Sequence, residues 1–150
     1  QLSLTDKSYQ PVFEKIGSVG SFVSVEDILS GRGLENVGRA LTGNDETAAQ
    51  IMQKVSQGDE NSKKVAHLLT TCAGSFFGDL ALILLPFGGI YLIGGVARSL
   101  KEYLKSEIFV EAFCKKGRFS KFNQKFSVHL VLDDYAALKG CRNFVLQNFH

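Results

Sequence analysis

Residues 87–97 have the sequence F-G-G-I-Y-L-I-G-G-V-A, and this stretch decides the class of fold. The short apolar run between two glycine pairs is typical of a buried strand, and helical spacing resumes directly after it. Because Gly94 and Gly95 lack a Cβ atom, the backbone at this strand-to-helix corner can approach a ligand closely. Such a corner suits the adenosine or a phosphate of a nucleotide. A tight turn without a ligand explains the same spacing equally well.

The sequence before this corner predicts a series of helices. Apolar spacing over residues 9–16 indicates a first helix that ends at Gly17 and Gly20. A capping box at residues 24–27 predicts a short helix through residue 29, and a further helix should run through residue 41. Asn44 or Asp45 can cap the next one. After Asp59 a broad apolar stripe predicts a long, largely buried helix that ends near residue 84.

The sequence after the corner alternates helix and strand. Residues 96–104 and 108–113 predict helices, and residues 127–133 predict a second strand. A last helix over 136–146 should pack Leu138, Cys141 and Val145 against the core. This order indicates the α/β class, with at least two parallel strands because helices connect them. Two strands are too few for a stable sheet, so further strands must lie elsewhere in the chain or outside it.

Several functional classes are disfavoured by composition. A formal charge of +2 over 150 residues gives little reason to expect a nucleic acid or an anionic membrane as partner. The basic cluster at 115–121 is better explained as a solvated helix end than as a nucleic-acid patch. The uncharged residues 80–97 are interrupted by Pro86 and glycines, which favours a helix followed by a strand over a membrane span. The three cysteines and three histidines lack metal-ligand or disulfide spacing.

Glu26 is the second candidate for chemistry. A carboxylate in the first turn of a helix interacts favourably with the helix dipole, and that alone would explain its position. Alternatively, it accepts hydrogen bonds from sugar hydroxyls, and charge-assisted bonds of this kind fix the orientation of a substrate. The spacing leaves both interpretations open.

Four stretches carry a resemblance to a known family. Residues 22–34, F-V-S-V-E-D-I-L-S-G-R-G-L, are similar to V-S-x-E-x-[VI]-L-S-G-x-G-L of bacterial-type glucokinases. Residues 87–97 resemble their F-G-G-[VI]-[FY]-[IL]-x-G-G-[IV]. The segments at 111–119, with E-A-F and K-G-R-F, and the strand at 128–133 follow in the family's order and approximate spacing. The resemblance covers about residues 22–146, and ordered matches are more specific than any single one.

The resemblance implies both a fold and a site. It implies the two-domain, actin-like ATPase (ribonuclease H-like) fold, of which residues 1–150 would be most of the helix-rich, larger C-terminal lobe. Glu26 would bind the glucose hydroxyls. Gly94 and Gly95, with Gly88 and Gly89, would border ATP, whose Mg²⁺ is held mainly through the nucleotide. The resemblance also implies a cytoplasmic homodimer without nucleic-acid or membrane partners.

The family's other motifs have no counterpart in this sequence. The D-x-G-G-T phosphate loop, the catalytic aspartate and the G-E-G-G-H sugar segment are missing, and Asp133 and Asp134 are in the wrong context to replace that aspartate. The chain begins with Gln1 rather than Met, so we expect a fragment. It should supply part of the sites of an ATP-dependent glucokinase, contain no catalytic residue and be inactive alone. The alternative is a non-catalytic, regulatory sugar- or nucleotide-binding module of the same superfamily.

Overall fold

The computed structural model describes residues 9–17 and 23–149. This part of the chain contains a series of helices and one small sheet of two strands. In chain order the elements are α1 Gln10–Ile16, α2 Gly31–Thr42, α3 Ala48–Ser56, α4 Glu60–Leu84, β1 Ile90–Leu92, α5 Gly95–Ser99, α6 Lys101–Leu104, α7 Glu107–Cys114, α8 Ser120–Asn123, β2 Val128–Leu130 and α9 Ala136–Asn148.

Helix α4 is the centre of the core, as its broad apolar stripe predicts. Its N-terminus is capped by Asp59, whose carboxylate accepts a hydrogen bond of 2.8 Å from the Ser62 backbone N–H. The helix packs against α2 and α3 on one side and along α7 on the other. Its fully buried apolar side chains are those of Val65, Ala66, Leu68, Leu69, Cys72 and Ala81.

The α4–α7 contact depends on two glycines rather than on large side chains. A Cβ atom on Gly74 would lie 2.6 Å from the Phe109 carbonyl oxygen, and one on Gly78 would lie 2.3 Å from that of Phe113. The large side chains of Ile83 and Leu84, at the end of α4, are exposed. The predicted burial of Leu84 is therefore wrong, since this side chain is 67% exposed.

Two polar side chains hold the same helix pair together. The Lys116 side chain is only 8% exposed, and its Nζ lies 2.7 Å from the Asp79 carboxylate and donates to the Ser75 carbonyl at 2.8 Å. The buried Asn123 amide donates to the carbonyls of Gly78 and Phe113 at 3.0 and 2.8 Å. The expectation of a solvated face at 115–121 is therefore wrong for Lys116.

The sheet confirms the predicted parallel pairing. Ile90, Tyr91 and Leu92 lie opposite Val128, His129 and Leu130. Both strands are shorter than predicted because only these three pairs are in register. Outside the ladder, Phe87 and Ile93 are exposed rather than buried. So small a sheet has little stability of its own, as expected from the sequence.

Helix boundaries differ from the prediction at several points. Residues 24–29 form a single turn instead of a helix. Helix α3 is capped by Thr47, which completes a capping box with Gln50, and not by Asn44 or Asp45. The helix expected over 96–104 is divided at Leu100 into α5 and α6. Helix α1 ends at Gly17 as predicted, whereas the stop proposed at Gly20 lies outside the described residues.

The last helix forms where predicted but does not pack as predicted. Leu138 and Val145 are 67% and 52% exposed, Cys141 is exposed, and no residue of α9 is buried by the described part of the chain. The spacing correctly indicated an amphipathic helix. The expectation that this chain's own core covers it is wrong.

Among the described residues, one helix is long and apolar enough to cross a bilayer. This helix is α4, and half of its most apolar window is buried inside the protein. Burial within a core helix explains the composition. The uncharged stretch 80–97, in contrast, contains the end of α4, strand β1 and the start of α5.

Candidate functional site

Glu26 lies on a tightly held turn in front of α2. The Leu29 N–H donates to the Val25 carbonyl at 2.7 Å, which closes the turn, and Ile28 is completely buried. Ser30 joins the turn to α2, because its hydroxyl donates to the Glu26 carbonyl at 2.6 Å and accepts from the Gly33 N–H. The backbone of Glu26 is therefore fixed from both sides.

The capping box predicted for residues 24–27 is present in full. The Asp27 carboxylate accepts from the Ser24 N–H at 3.0 Å and from its hydroxyl at 2.7 Å, and the Asp27 N–H donates back to that hydroxyl. The bonds from the Ser24 hydroxyl and N–H lower the pKa of Asp27, because they stabilise the charged form. Its carbonyl accepts from the Asn36 amide at 3.2 Å. Asp27 thus acts as an internal brace of the turn.

The Glu26 carboxylate faces solvent. Its side chain is 77% exposed, and its ion-pair contact is with Arg32 of α2, at 3.8 Å. An exposed pair at this distance contributes little to stability. The turn therefore presents a carboxylate on a rigid backbone with most of its hydrogen-bonding capacity directed outward.

In the second glycine pair, Gly94 and Gly95, the backbone conformation requires glycine at the first position only. Gly94 has φ +121°, a conformation that side chains rarely adopt, so glycine is needed there for backbone reasons. Gly95 begins α5 and has no such φ. A Cβ atom at either position would meet no atom of the described part of the chain within 4 Å. The backbone at this corner therefore borders open space.

The first glycine pair differs between its two members. Gly89 has φ +97°, and a Cβ atom there would lie 2.8 Å from the His129 ring, so internal packing explains this glycine. Gly88 borders open space, and its carbonyl accepts from the Tyr91 hydroxyl at 3.2 Å. The Tyr91 ring stacks on that of His129, with 4.9 Å between their centroids.

One cavity connects the two predicted parts of the site. It measures about 410 Å³, and its lining includes Gly94 and Gly95 of the corner and Leu29 of the turn that carries Glu26. Glu26 itself does not line it. Apart from backbone, the walls are mostly apolar, formed by side chains such as Leu69 and Phe77 of α4. The turn and the corner thus share a hollow, with the carboxylate outside its wall.

A larger cavity of about 590 Å³ contains none of the predicted site residues. It lies between β2 and α7 and is lined mainly by apolar side chains, with the buried Asn123 among them. Among the described residues, no group of three metal-ligating side chains is close enough to hold an ion.

Sequence reasoning missed the residues that shape the turn that carries Glu26. Ser30 and Asn36 hold the turn in place through their hydrogen bonds. Gly33 allows the start of α2 to pack closely against this turn, since a Cβ atom on Gly33 would lie 2.2 Å from the Ile28 carbonyl oxygen. A serine before Gly31 was a visible signal for the N-cap of α2. The contact of Asn36 with a carbonyl nine residues earlier has no local sequence signal.

Comparison with known proteins agrees with this helix-rich α/β fold. The family model described as Glucokinase matches residues 1–148, so the chain belongs to the glucokinase family. It is 33% identical over 132 residues to the glucokinase of Pectobacterium atrosepticum and 34% identical over 135 residues to that of Yersinia pestis. A crystal structure of a glucokinase from an Antarctic psychrotroph superposes with a TM-score of 0.87 at 26% identity. The resemblance inferred from the motifs is confirmed.

The chain is much shorter than these relatives. The alignments cover 83% of this chain but 41% of the Pectobacterium and Yersinia proteins. The superposition covers 99% of this chain and 48% of the psychrotroph enzyme. The chain therefore spans less than half the length of the glucokinases it matches.

Proposed function

We propose that this chain supplies part of the sugar and nucleotide sites of an ATP-dependent glucokinase, which transfers the γ-phosphoryl group of ATP to the C6 hydroxyl of glucose. The observation that carries the proposal is the cavity that joins the Glu26 turn to the Gly94–Gly95 corner. A kinase must hold its two substrates side by side, and a hollow bordered by the corner and by Leu29 of the Glu26 turn supports that arrangement, with Glu26 itself outside its wall.

Glu26 is proposed to bind glucose. An ionised carboxylate accepts hydrogen bonds only, and sugar hydroxyls are donors that match it. Its exposed side chain and its fixed backbone support this role, because the carboxylate is accessible to a ligand and the backbone that carries it is already held in place. Arg32 is close enough to orient the carboxylate, and it leaves the remaining lone pairs free for a ligand.

The corner is proposed to hold the nucleoside end of ATP. The apolar walls suit a flat base, and the bare backbone at Gly94 and Gly95 allows close approach. Gly88 borders open space in the same way, whereas Gly89 is explained by the fold. Among residues 9–17 and 23–149, no lysine, arginine, aspartate or glutamate lines this cavity. The triphosphate and its Mg²⁺, which would neutralise charge during transfer, therefore need groups that this cavity does not provide.

The 150-residue chain lacks groups that phosphoryl transfer requires. Phosphoryl transfer requires a positioned base for the attacking hydroxyl, and the sequence offers no aspartate in a suitable context. We therefore propose that these residues form most of the larger, C-terminal lobe of an actin-like sugar kinase and are inactive without the other lobe. A cytoplasmic homodimer is part of the same proposal.

A chimeric enzyme tests the proposal. This chain would replace the matched 41% of the Pectobacterium atrosepticum glucokinase, and ADP formation would be measured with ATP and a panel of hexoses. We expect glucose-dependent ADP formation by the chimera and none by the 150-residue chain. A folded chimera that binds glucose but forms no ADP would favour the non-catalytic module instead. Activity restricted to another hexose would refute the substrate assignment.

A further inference from the structure

The larger cavity, of about 590 Å³ between β2 and α7, has a buried apolar floor. The floor includes three phenylalanines and one leucine that are buried: Phe109, Phe113, Phe126 and Leu92. The rings of Phe109 and Phe113 stack with 5.9 Å between their centroids. A hollow of this volume with mostly apolar walls has the usual properties of a small-molecule site, and its floor suits the apolar part of a ligand.

The rim of this cavity is exposed and carries one lysine. Lys105, Gln124 and His129 are exposed residues of the lining, so they lie at the mouth. Val110 and Leu132, which are 53 and 60% exposed, continue the apolar wall outward. Among the described residues, no aspartate or glutamate lines the cavity and none forms an ion pair with Lys105. The Lys105 ammonium group is therefore available to an anion at the mouth.

Asn123 determines which end of a ligand can lie inside. It is completely buried and belongs to the lining. Its amide nitrogen donates to the carbonyls of Gly78 and Phe113, so the amide cannot be reversed, and its Oδ1 has no hydrogen-bond partner in the part of the chain that the structure describes. A carboxylate next to this oxygen would be repelled, because both groups are acceptors without a proton to share. An anionic group therefore belongs at the mouth, with Lys105, and the apolar end of the ligand belongs inside.

We propose that this cavity binds an amphipathic carboxylate, that is, an unbranched apolar chain that ends in one carboxylate. The chain would lie on the phenylalanine floor, and the carboxylate would pair with Lys105. Burial of the chain would supply most of the affinity, whereas the exposed ion pair would mainly select the charge of the head group. Leu92 and Leu104 line both this cavity and the smaller one, so the two are neighbours. Neither Glu26 nor the Gly94–Gly95 corner lines this cavity, so the inference does not depend on the proposed function.

Cys114 provides a reporter for occupation of the cavity, because its half-buried thiol belongs to the lining. Maleimide labelling of the 150-residue chain would be followed by mass spectrometry of each cysteine peptide, with decanoate as the probe. We expect saturating decanoate to slow the labelling of Cys114 about tenfold, since a bound chain would block access to the thiol. The exposed Cys141 lies outside this cavity and should label at an unchanged rate. Decanol and decyltrimethylammonium, which have the same chain length, should protect Cys114 less.

Reversing the charge of Lys105 tests the head-group contact. Lys105→Glu should weaken the binding of decanoate about tenfold, because attraction at the mouth becomes repulsion, and should make decyltrimethylammonium the better ligand. Lys64→Glu is the matched control, since Lys64 is an exposed lysine of α4 that does not line the cavity. This control should bind decanoate as the unaltered chain does. Isothermal titration calorimetry measures each affinity.

Several results would overturn the proposal. Labelling of Cys114 that decanoate does not slow would show that the cavity is not its site. Equal protection by decanol, or an unchanged affinity in Lys105→Glu, would show that the carboxylate is not recognised. Faster labelling of Cys72, which is buried in the core, would show that the amphiphile unfolds the chain instead of binding to it. None of these measurements involves phosphoryl transfer, so the proposed function would stand in each case.

Discussion

The close packing of α4 on α7 predicts that Gly78→Ala destabilises the protein. In an exposed helix interior this substitution would gain about 1 kcal/mol of helix propensity. At Gly78, however, the new Cβ atom would lie 2.3 Å from the Phe113 carbonyl oxygen and 2.7 Å from Lys116 Cε. The lysine can move, but the carbonyl belongs to the backbone of α7. Overpacking that shifts backbone costs about 1–3 kcal/mol, and the short contact places this site at the upper end.

The net effect should therefore be a loss of about 2 kcal/mol in the free energy of unfolding. With a urea m-value of about 2 kcal/mol per M, the midpoint of unfolding should fall by about 1 M. Separating α4 from α7 would also weaken the Asn123 bonds to both helices, which adds to the loss. Circular dichroism in a urea series measures the midpoint directly.

Gly140→Ala is the matched control. Gly140 lies inside α9, and a Cβ atom there would meet nothing within 4 Å. This variant should keep or slightly raise the midpoint, because only the propensity gain applies. A Gly78→Ala midpoint equal to or above that of the unaltered chain would refute the reasoning, since it would mean that α4 and α7 are not packed through backbone.

Three further predictions concern other parts of the fold. Lys116→Met should cost about 1–3 kcal/mol, because it removes the charge-assisted bonds of the buried Lys116 Nζ to the Asp79 carboxylate and the Ser75 carbonyl, and an unchanged urea midpoint would contradict that contact. Leu85, directly before Pro86, has φ +48°, a left-handed conformation that asparagine adopts more readily than leucine. Leu85→Asn should therefore raise the free energy of unfolding by about 0.5–1 kcal/mol, and a lower urea midpoint would argue against backbone strain at this position. Burial raises the pKa of Cys72 to about 12, whereas Cys141 is exposed. At pH 8, Ellman's reagent should therefore react quickly with Cys141 and with Cys72 only after unfolding. Rapid reaction of Cys72 in the native state would contradict its burial.

The sequence predicted the elements whose signals are local. The long apolar periodicity after Asp59 predicted α4 as the buried helix, and the two apolar runs separated by helices predicted a parallel pair. The serine and aspartate at 24 and 27 predicted the reciprocal hydrogen bonds of the Glu26 turn, although the turn does not continue as a helix. In each case the residues that decide the structure are close together in the chain.

Features that depend on distant partners were not predictable in the same way. The spacing of Leu138, Cys141 and Val145 gives the apolar side of α9, but periodicity cannot identify what covers it. In the sequence, Lys116 is one of several cations in the basic cluster at 115–121. Its burial follows from the packing of α7 on α4, which brings its side chain to Asp79 of α4. The cavity between Leu29 and Gly94 likewise arises from residues far apart in sequence.

The Michaelis constant of the chimera for glucose tests the central claim most directly. Removing one charge-assisted acceptor from a sugar site costs about 1.5–3 kcal/mol, so Glu26→Gln should raise the constant about 10- to 150-fold. Glu102→Gln is the matched control, since Glu102 is also an exposed carboxylate, 71% accessible and 3.7 Å from Lys101. The account predicts a large rise for the first variant and none for the second. An unchanged constant in Glu26→Gln would contradict the assignment of the sugar site to this turn.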